Sequence, residues 1–105
     1  MLSWLVVGIG DITRKRVLPA ILAEPRSRLA GIVTRNPLKA AAYGAPAWTD
    51  LESALAECEC EAVYIATPVF LHAQQTTAAL RAGRHVLCEK PMALHYSQEI
   101  GRAHV

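Results

Sequence analysis

The chain has 105 residues, which is enough for one domain of ordinary size and too few for two. Hydrophobic residues make up 52% of the sequence and charged residues 19%, a balance typical of a globular and not of a disordered chain. Eleven basic and nine acidic residues give a formal net charge of +2. These charges are scattered, which excludes nucleic acid and anionic membranes as default partners.

Location and redox state follow from the apolar runs and the cysteines. The apolar run near the start of the chain, 4–7, is far shorter than the roughly 18 residues of a membrane span, and no basic segment precedes it as in a secretory signal. The cysteines are odd in number and have mostly apolar neighbours, so reduced thiols are expected. Cys58 and Cys60 lack a second pair of ligands, and no metal site is predicted. We expect a cytoplasmic protein.

Strands and helices alternate along the sequence. Apolar, β-branched-rich segments predict strands at 2–7, 29–33, 46–48, 62–66 and 85–88. Helical spacing and helix-boundary signals predict helices at 12–23, between Pro37 and Gly44, at 50–57 and at 70–82. Strands separated by helices cannot pair as hairpins, so we predict an α/β fold with a doubly wound parallel sheet and right-handed crossovers.

Short local signals mark where these elements begin and end. Asn36 is expected to cap the second helix, with Pro37 at its first position. Thr49 and Glu52 have the spacing of a capping box at the start of the third helix. Pro68 ends the strand before it, because a central strand cannot contain proline.

A glycine turn lies between the first strand and the first helix. Glycines without a Cβ let a phosphate approach the backbone, and the helix N-terminus adds partial positive charge. The order of elements around the turn therefore indicates a dinucleotide pyrophosphate site, for which the predicted residues are Gly8, Gly10, Asp11 and Ile12. A plain strand-to-helix turn is the alternative.

The end of the second strand bears on the choice of cofactor. An acidic residue there would accept hydrogen bonds from the adenosine ribose and repel a 2′-phosphate. This chain has Thr34 and Arg35 instead. A guanidinium would pair with a 2′-phosphate, so NADP is favoured and NAD remains possible. The alternative is that Arg35 is a solvated loop residue.

Three segments together resemble a known family. They are Gly8-Ile9-Gly10, Ala66-Thr67-Pro68 with His72 following, and the stretch AGRHVLCEKPMAL at 82–94. They are similar to the N-terminal Rossmann domain of the glucose-fructose oxidoreductase, inositol dehydrogenase and MocA-like oxidoreductases, and the likeness extends from residue 5 to about residue 94. The resemblance implies an NAD(P)-dependent dehydrogenase or reductase that acts on a sugar, cyclitol or related polyol. It also implies a larger substrate domain after this one and a homo-oligomer at full length.

The resemblance also assigns individual residues. Lys90 matches the active-site lysine of the family, between Glu89 and Pro91, and an ammonium there would stabilise oxyanion charge. Thr67 and Pro68 match the loop that lines the ribose and nicotinamide of the cofactor. Val69 stands where members often have asparagine. His72 is expected either to orient backbone or ribose near the cofactor or to be purely structural.

Two other functions stay open at this point. A nucleotide-sensing module could use the same fold without catalysis, although it would have no need of Lys90 at the hydride-transfer crevice. A different two-domain reductase, such as one of amino-acid biosynthesis, would share the opening glycines but not the segment 83–91.

The last six residues, 100–105, depart from the family pattern. They are the translation of ATC GGA AGA GCA CAC GTC, a common sequencing-adapter run that continues into a TGA stop codon. We therefore expect residues 1–99 to be a truncated dinucleotide-binding domain and 100–105 to be a non-native tail. The sheet is expected to be incomplete at its C-terminal end, the substrate domain to be absent, and this chain alone to be inactive.

Overall fold

The computed structural model describes residues 1–10, 12–89 and 93–95. The strands in this part of the chain are β1 (Leu2–Val7), β2 (Ser27–Val33), β3 (Ala47–Trp48), β4 (Ala62–Ile65), β5 (His85–Cys88) and β6 (Ala93–His95). The α-helices are α1 (Leu18–Ala23), α2 (Pro37–Ala41), α3 (Leu51–Glu57) and α4 (Val69–Arg81), and a π-helical turn (Thr13–Val17) leads into α1. The predicted elements are thus confirmed to within about two residues at most boundaries.

One sheet contains all these strands in the order β3-β2-β1-β4-β5-β6. The first five are parallel, and β6 runs antiparallel to β5. The doubly wound α/β fold is confirmed, but the prediction of an entirely parallel sheet is wrong at β6. Only residues 89–92 separate β5 from β6, which is too short for a crossover and long enough for a reversal. That the sheet is incomplete at its C-terminal end stays a prediction.

The sheet is covered on both faces by helices. Leu5 and Val7 of β1 pack in one apolar cluster with Ala54 of α3 and Ala79 of α4. Val6 lies in the opposite cluster, which includes residues of α1 and α2. Because successive side chains of a strand point to opposite faces, a continuous apolar strand supplies both layers at once.

The helix after β1 does not begin as a regular α-helix. The backbone N–H of Leu18 donates to the carbonyl of Thr13, five residues earlier. Pro19 has no N–H to donate, and in a regular α-helix its ring would clash with the carbonyl of Lys15. The wider π-helical turn before the proline avoids that clash.

Side-chain caps start two of the helices. The Asn36 side chain accepts a hydrogen bond from the backbone N–H of Leu38 at 3.1 Å, which confirms it as the cap of α2. The predicted capping box at Thr49 is wrong, because the cap of α3 is Asp50, whose carboxylate accepts from the N–H of Ser53 at 2.9 Å. A carboxylate is a stronger acceptor than a hydroxyl, and it interacts favourably with the helix dipole.

Two further sequence expectations concern thiols and membranes. The three cysteines are buried and unpaired. No helix in the described part of the chain combines the length and the apolar character needed to cross a bilayer.

Candidate dinucleotide site

The candidate site lies where β1, β2 and β4 end. The backbone N–H of Gly8 donates to the carbonyl of Val33 at 2.8 Å, and the N–H of Ala66 donates to the carbonyl of Val7 at 2.9 Å. These bonds hold the loops that follow the three strands at one edge of the sheet. The chain winds outward from β1 through β2 and β3 and then returns to β4 on the other side of β1. Doubly wound sheets bind ligands at such a reversal of strand order.

A cavity of about 790 Å³ opens at this edge. Its walls come from the loops after β1, β2 and β4 and from the starts of α3 and α4. The volume lies within the range of about 300–1,000 Å³ that is usual for small-molecule and cofactor sites. The predicted site residues that line it are Gly8, Gly10, Thr34, Arg35, Thr67 and Pro68.

The two glycines of the turn have different roles. Gly8 has a φ of +91°, and a Cβ there would lie 3.1 Å from the Thr67 Cγ2 atom. A side chain at Gly8 would therefore be strained and would press on the loop after β4. A Cβ at Gly10 would meet no atom of the described chain within 4 Å. Gly10 thus leaves room for a ligand that approaches the backbone, and a pyrophosphate fits this space.

The loop after β2 and helix α2 each contribute a positive charge to the cavity. Thr34 is buried, and its hydroxyl accepts a hydrogen bond from the backbone N–H of Asn36 at 3.2 Å, which fixes the turn into α2. Arg35 and Lys39 line the cavity with exposed side chains. Lys39 lies four residues after Arg35, within α2, and no motif in the sequence marks it. Two cations that face one cavity suit a phosphate group.

Carboxylates also line the cavity. Asp50 and Glu52, at the start of α3, line the same cavity. The Asp50 carboxylate is bonded to the N–H of Ser53 and is thereby directed toward its own helix. Glu52 is exposed. In the sequence this segment indicates only a helix start, and no local pattern predicts its position in the cavity.

The loop after β4 is held by two side chains of α4. His72 Nε2 donates to the backbone carbonyl of Thr67 at 2.6 Å, since a carbonyl oxygen can only accept. The Thr67 hydroxyl donates to Gln75 Oε1. Gln75 lines the cavity, whereas His72 stands behind the loop and orients its backbone.

The start of the segment after β5 is anchored to β4. The backbone N–H of Glu89 donates to the carbonyl of Ile65 at 2.9 Å, and the Tyr64 hydroxyl donates to Glu89 Oε2 at 2.8 Å. Tyr64 is 5% exposed. Burial, with the hydrogen bond and charge of Glu89 adding to it, raises the pKa of Tyr64 above its ordinary value. Both the backbone and the side chain of Glu89 are therefore held in place.

The structure does not bring every predicted residue into the cavity. Glu89 and His72 support neighbouring segments instead, and Ile12 is 45% exposed outside the cavity lining. Asp11, Lys90, Pro91 and the tail 100–105 lie outside the described residues, and the predictions made for them stay predictions.

Fold and cavity together are those of a doubly wound α/β domain with a candidate ligand site at the strand reversal. Residues 2–102 match the model of an oxidoreductase family with an NAD-binding Rossmann fold, the glucose-fructose oxidoreductase, inositol dehydrogenase and MocA family. The chain belongs to this family, as the resemblance in its sequence predicted. This assignment decides against a two-domain reductase of another family.

Similar proteins include enzymes that act on sugars. The chain is 42% identical over 91 residues to a dTDP-3,4-didehydro-2,6-dideoxy-alpha-D-glucose 3-reductase from Streptomyces violaceoruber, an alignment that spans 83% of this chain and 27% of that enzyme. A crystal structure of a 3-ketoreductase from Actinomadura kijaniata in complex with NADP and TDP-benzene superposes with a TM-score of 0.79 at 35% identity, covering 86% of this chain and 29% of that one.

A second solved structure has a different cofactor. The WlbA dehydrogenase from Bordetella pertussis, in complex with NADH and UDP-GlcNAcA, superposes with a TM-score of 0.79 at 36% identity, over 88% of this chain and 28% of that one. This chain therefore spans less than a third of the length of these relatives and corresponds to their Rossmann part.

Proposed function

We propose that this chain is the cofactor-binding domain of an oxidoreductase that transfers a hydride between a nicotinamide dinucleotide and a sugar, cyclitol or related polyol. The cavity at the ends of β1, β2 and β4 carries the proposal, because it joins the glycine turn to the cations after β2. The sugar-nucleotide relatives support a sugar-like substrate. The free, buried cysteines support a reducing compartment and hence a cytoplasmic location.

NADP is the proposed cofactor, with NAD as the alternative. Arg35 and Lys39 lie on the β2 side of the glycine turn, where the adenosine half of a dinucleotide binds in doubly wound sheets. A 2′-phosphate in that position would gain two charge-assisted partners. A bound nicotinamide supplies or accepts the hydride at its C4 atom.

Lys90 is the proposed catalytic residue, and Pro91 is proposed to direct it. They follow Glu89, whose backbone and carboxylate are anchored to β4. In this proposal the Lys90 ammonium donates a hydrogen bond to the reacting oxygen of the substrate and stabilises its negative charge. We propose that the full-length protein also contains a substrate domain and forms a homo-oligomer. Light scattering of the full-length protein would measure its oligomeric state.

Binding of NADPH and NADH to the chain, by calorimetry, tests the cofactor. Arg35→Ala and Lys39→Ala are each expected to weaken NADPH binding about 10- to 150-fold, because a hydrogen bond to a charged group contributes roughly 1.5–3 kcal/mol. NADH binding should change less than about twofold, since it has no 2′-phosphate. Arg81→Ala removes an exposed arginine at the end of α4, outside the cavity, and controls for net charge. Equal losses for the two cofactors would remove the argument for NADP.

Turnover tests the catalytic part of the proposal. In a protein that joins this chain to a substrate domain, Lys90→Ala is expected to lower kcat by about 10²–10³, as removal of an oxyanion donor does. A protein that binds NADPH and shows unchanged turnover in Lys90→Ala would contradict the assigned role. NADPH binding without turnover of sugars or polyols by the unaltered protein would favour a nucleotide sensor.

A further inference from the structure

Gln75 determines how the Thr67 hydroxyl can bond to a ligand. Both residues line the cavity, and the hydroxyl donates its hydrogen to Gln75 Oε1. The other polar end of Thr67, its carbonyl, is held by His72 at 2.6 Å. Gly8 closes the third side, because its missing Cβ leaves just enough room for the Thr67 methyl group. Thr67 therefore has little freedom to rotate.

A hydroxyl has one hydrogen to donate and two lone pairs with which to accept. Since Gln75 takes the hydrogen, only the lone pairs of Thr67 Oγ1 are left for a ligand. A phosphate or carboxylate oxygen brings no hydrogen and would be repelled there. A ligand hydroxyl or a carboxamide NH₂ would be bound.

We propose that Gln75 is a positioning residue that makes Thr67 an acceptor for a neutral donor group on the nicotinamide nucleoside of the ligand. This rests on the proposed function and adds to it the kind of group that Thr67 can bind on the nicotinamide half of the dinucleotide. Thr67 follows β4, and Arg35 follows β2 on the other side of β1. With the pyrophosphate at the glycine turn between them, the group at Thr67 belongs to the nucleoside remote from the adenosine.

Binding of two different ligands distinguishes a positioning role of Gln75 from a general structural role. NADPH contains the nicotinamide nucleoside, whereas adenosine 2′,5′-bisphosphate contains only the adenosine half with its 2′-phosphate. Gln75→Met, which keeps the length of the side chain and removes the amide, is expected to weaken NADPH binding about three- to tenfold, the range for one hydrogen bond. Binding of adenosine 2′,5′-bisphosphate should change less than about twofold. Thr77→Met, on the exposed side of α4 and outside the cavity lining, is the matched control.

Thr67→Val removes the same contact from the other partner and keeps the shape of the side chain. It should weaken NADPH binding to a similar extent, and the double variant Thr67→Val with Gln75→Met should lose no more than Thr67→Val alone, because Gln75 acts through Thr67. Thermal unfolding of each variant shows whether it is folded. If Gln75→Met does not fold, NADPH binding by Thr67→Val provides the test.

Three results would overturn the assignment. They are unchanged NADPH binding in Gln75→Met, equal losses for both ligands, and additive losses in the double variant. If the unaltered chain bound neither ligand, the proposed function would fail and this assignment with it. If the unaltered chain bound NADPH and Gln75→Met bound it equally well, the assignment alone would fail.

Discussion

At the scale of single residues, one glycine of the first turn is required by the fold and the other is available for a ligand. Gly8 needs its positive φ and touches the loop after β4, so the folded chain itself requires it. A Cβ at Gly10 would meet no atom of the described chain within 4 Å, so the folded chain has room for a methyl group there. A requirement for glycine at that position must then come from a ligand.

Gly10→Ala is expected to change the free energy of unfolding by less than about 0.5 kcal/mol, as substitutions outside packed regions do. It should weaken NADPH binding at least about tenfold, because the new methyl group would occupy the space of the pyrophosphate. Urea unfolding and calorimetric binding measure the two effects. Gly8→Ala is the contrast, with a loss of roughly 1–3 kcal/mol in stability. Unweakened NADPH binding in Gly10→Ala would show that the pyrophosphate does not bind at this turn.

At the scale of the element, α3 is a short helix held at both ends. Asp50 caps its start through the N–H of Ser53. The Arg84 guanidinium donates to the carbonyl oxygens of Leu55 at 3.2 Å and of Cys58 at 3.5 Å near its end. Helices of about two turns are not stable alone, so these caps and the buried Ala54 maintain the helix that forms one wall of the cavity.

Asp50→Ala should lower the free energy of unfolding by about 1 kcal/mol, which is typical for the loss of an N-cap. Thr49→Ala should lower it by less than about 0.5 kcal/mol, because Asp50 and not Thr49 caps the helix. Asp50→Asn retains an acceptor and serves as the control. Urea unfolding followed by circular dichroism measures all three variants. A larger loss of unfolding free energy in Thr49→Ala than in Asp50→Ala would show that Thr49 caps the helix, as the capping box predicts.

At the scale of the whole molecule, the folded chain disfavours ionisation of two buried groups, the thiol of Cys58 and the phenol of Tyr64. Burial raises the pKa of the Cys58 thiol from 9.0 to about 11, and the neighbouring Cys60 adds to the effect. The pKa of Tyr64 is also raised, first by burial and then by Glu89. In each case the unfolded chain releases its proton at a lower pH than the folded chain does.

The stability of the fold should therefore decrease as the pH rises. The contribution of Cys58 is fully present below about pH 9 and is lost as the pH rises through about 11. Urea unfolding at a series of pH values from 8 to 11 measures the slope. Cys58→Ala should flatten the profile, although it lowers stability at every pH by removing a buried side chain. An unchanged slope in Cys58→Ala would show that the thiol does not contribute.

Local sequence signals determined the elements of this protein. Apolar runs and helix-boundary residues predicted β1, β5 and the cap at Asn36, since strand formation and capping depend on neighbours in the chain. The glycine turn after β1, the Ala66-Thr67-Pro68 loop with His72 and the segment 82–94 predicted the family, which the family model confirms. These features need no contact between distant residues.

The tertiary structure decided which side chains share the cavity. Lys39, Glu52 and Gln75 lie on three different helices, and only the reversal of strand order at β1 brings their loops to one edge of the sheet. It also decided that His72 holds a backbone carbonyl and does not line the cavity. Such contacts depend on distances between segments that the chain order does not specify, whereas the periodicity of a strand or helix is written in consecutive residues.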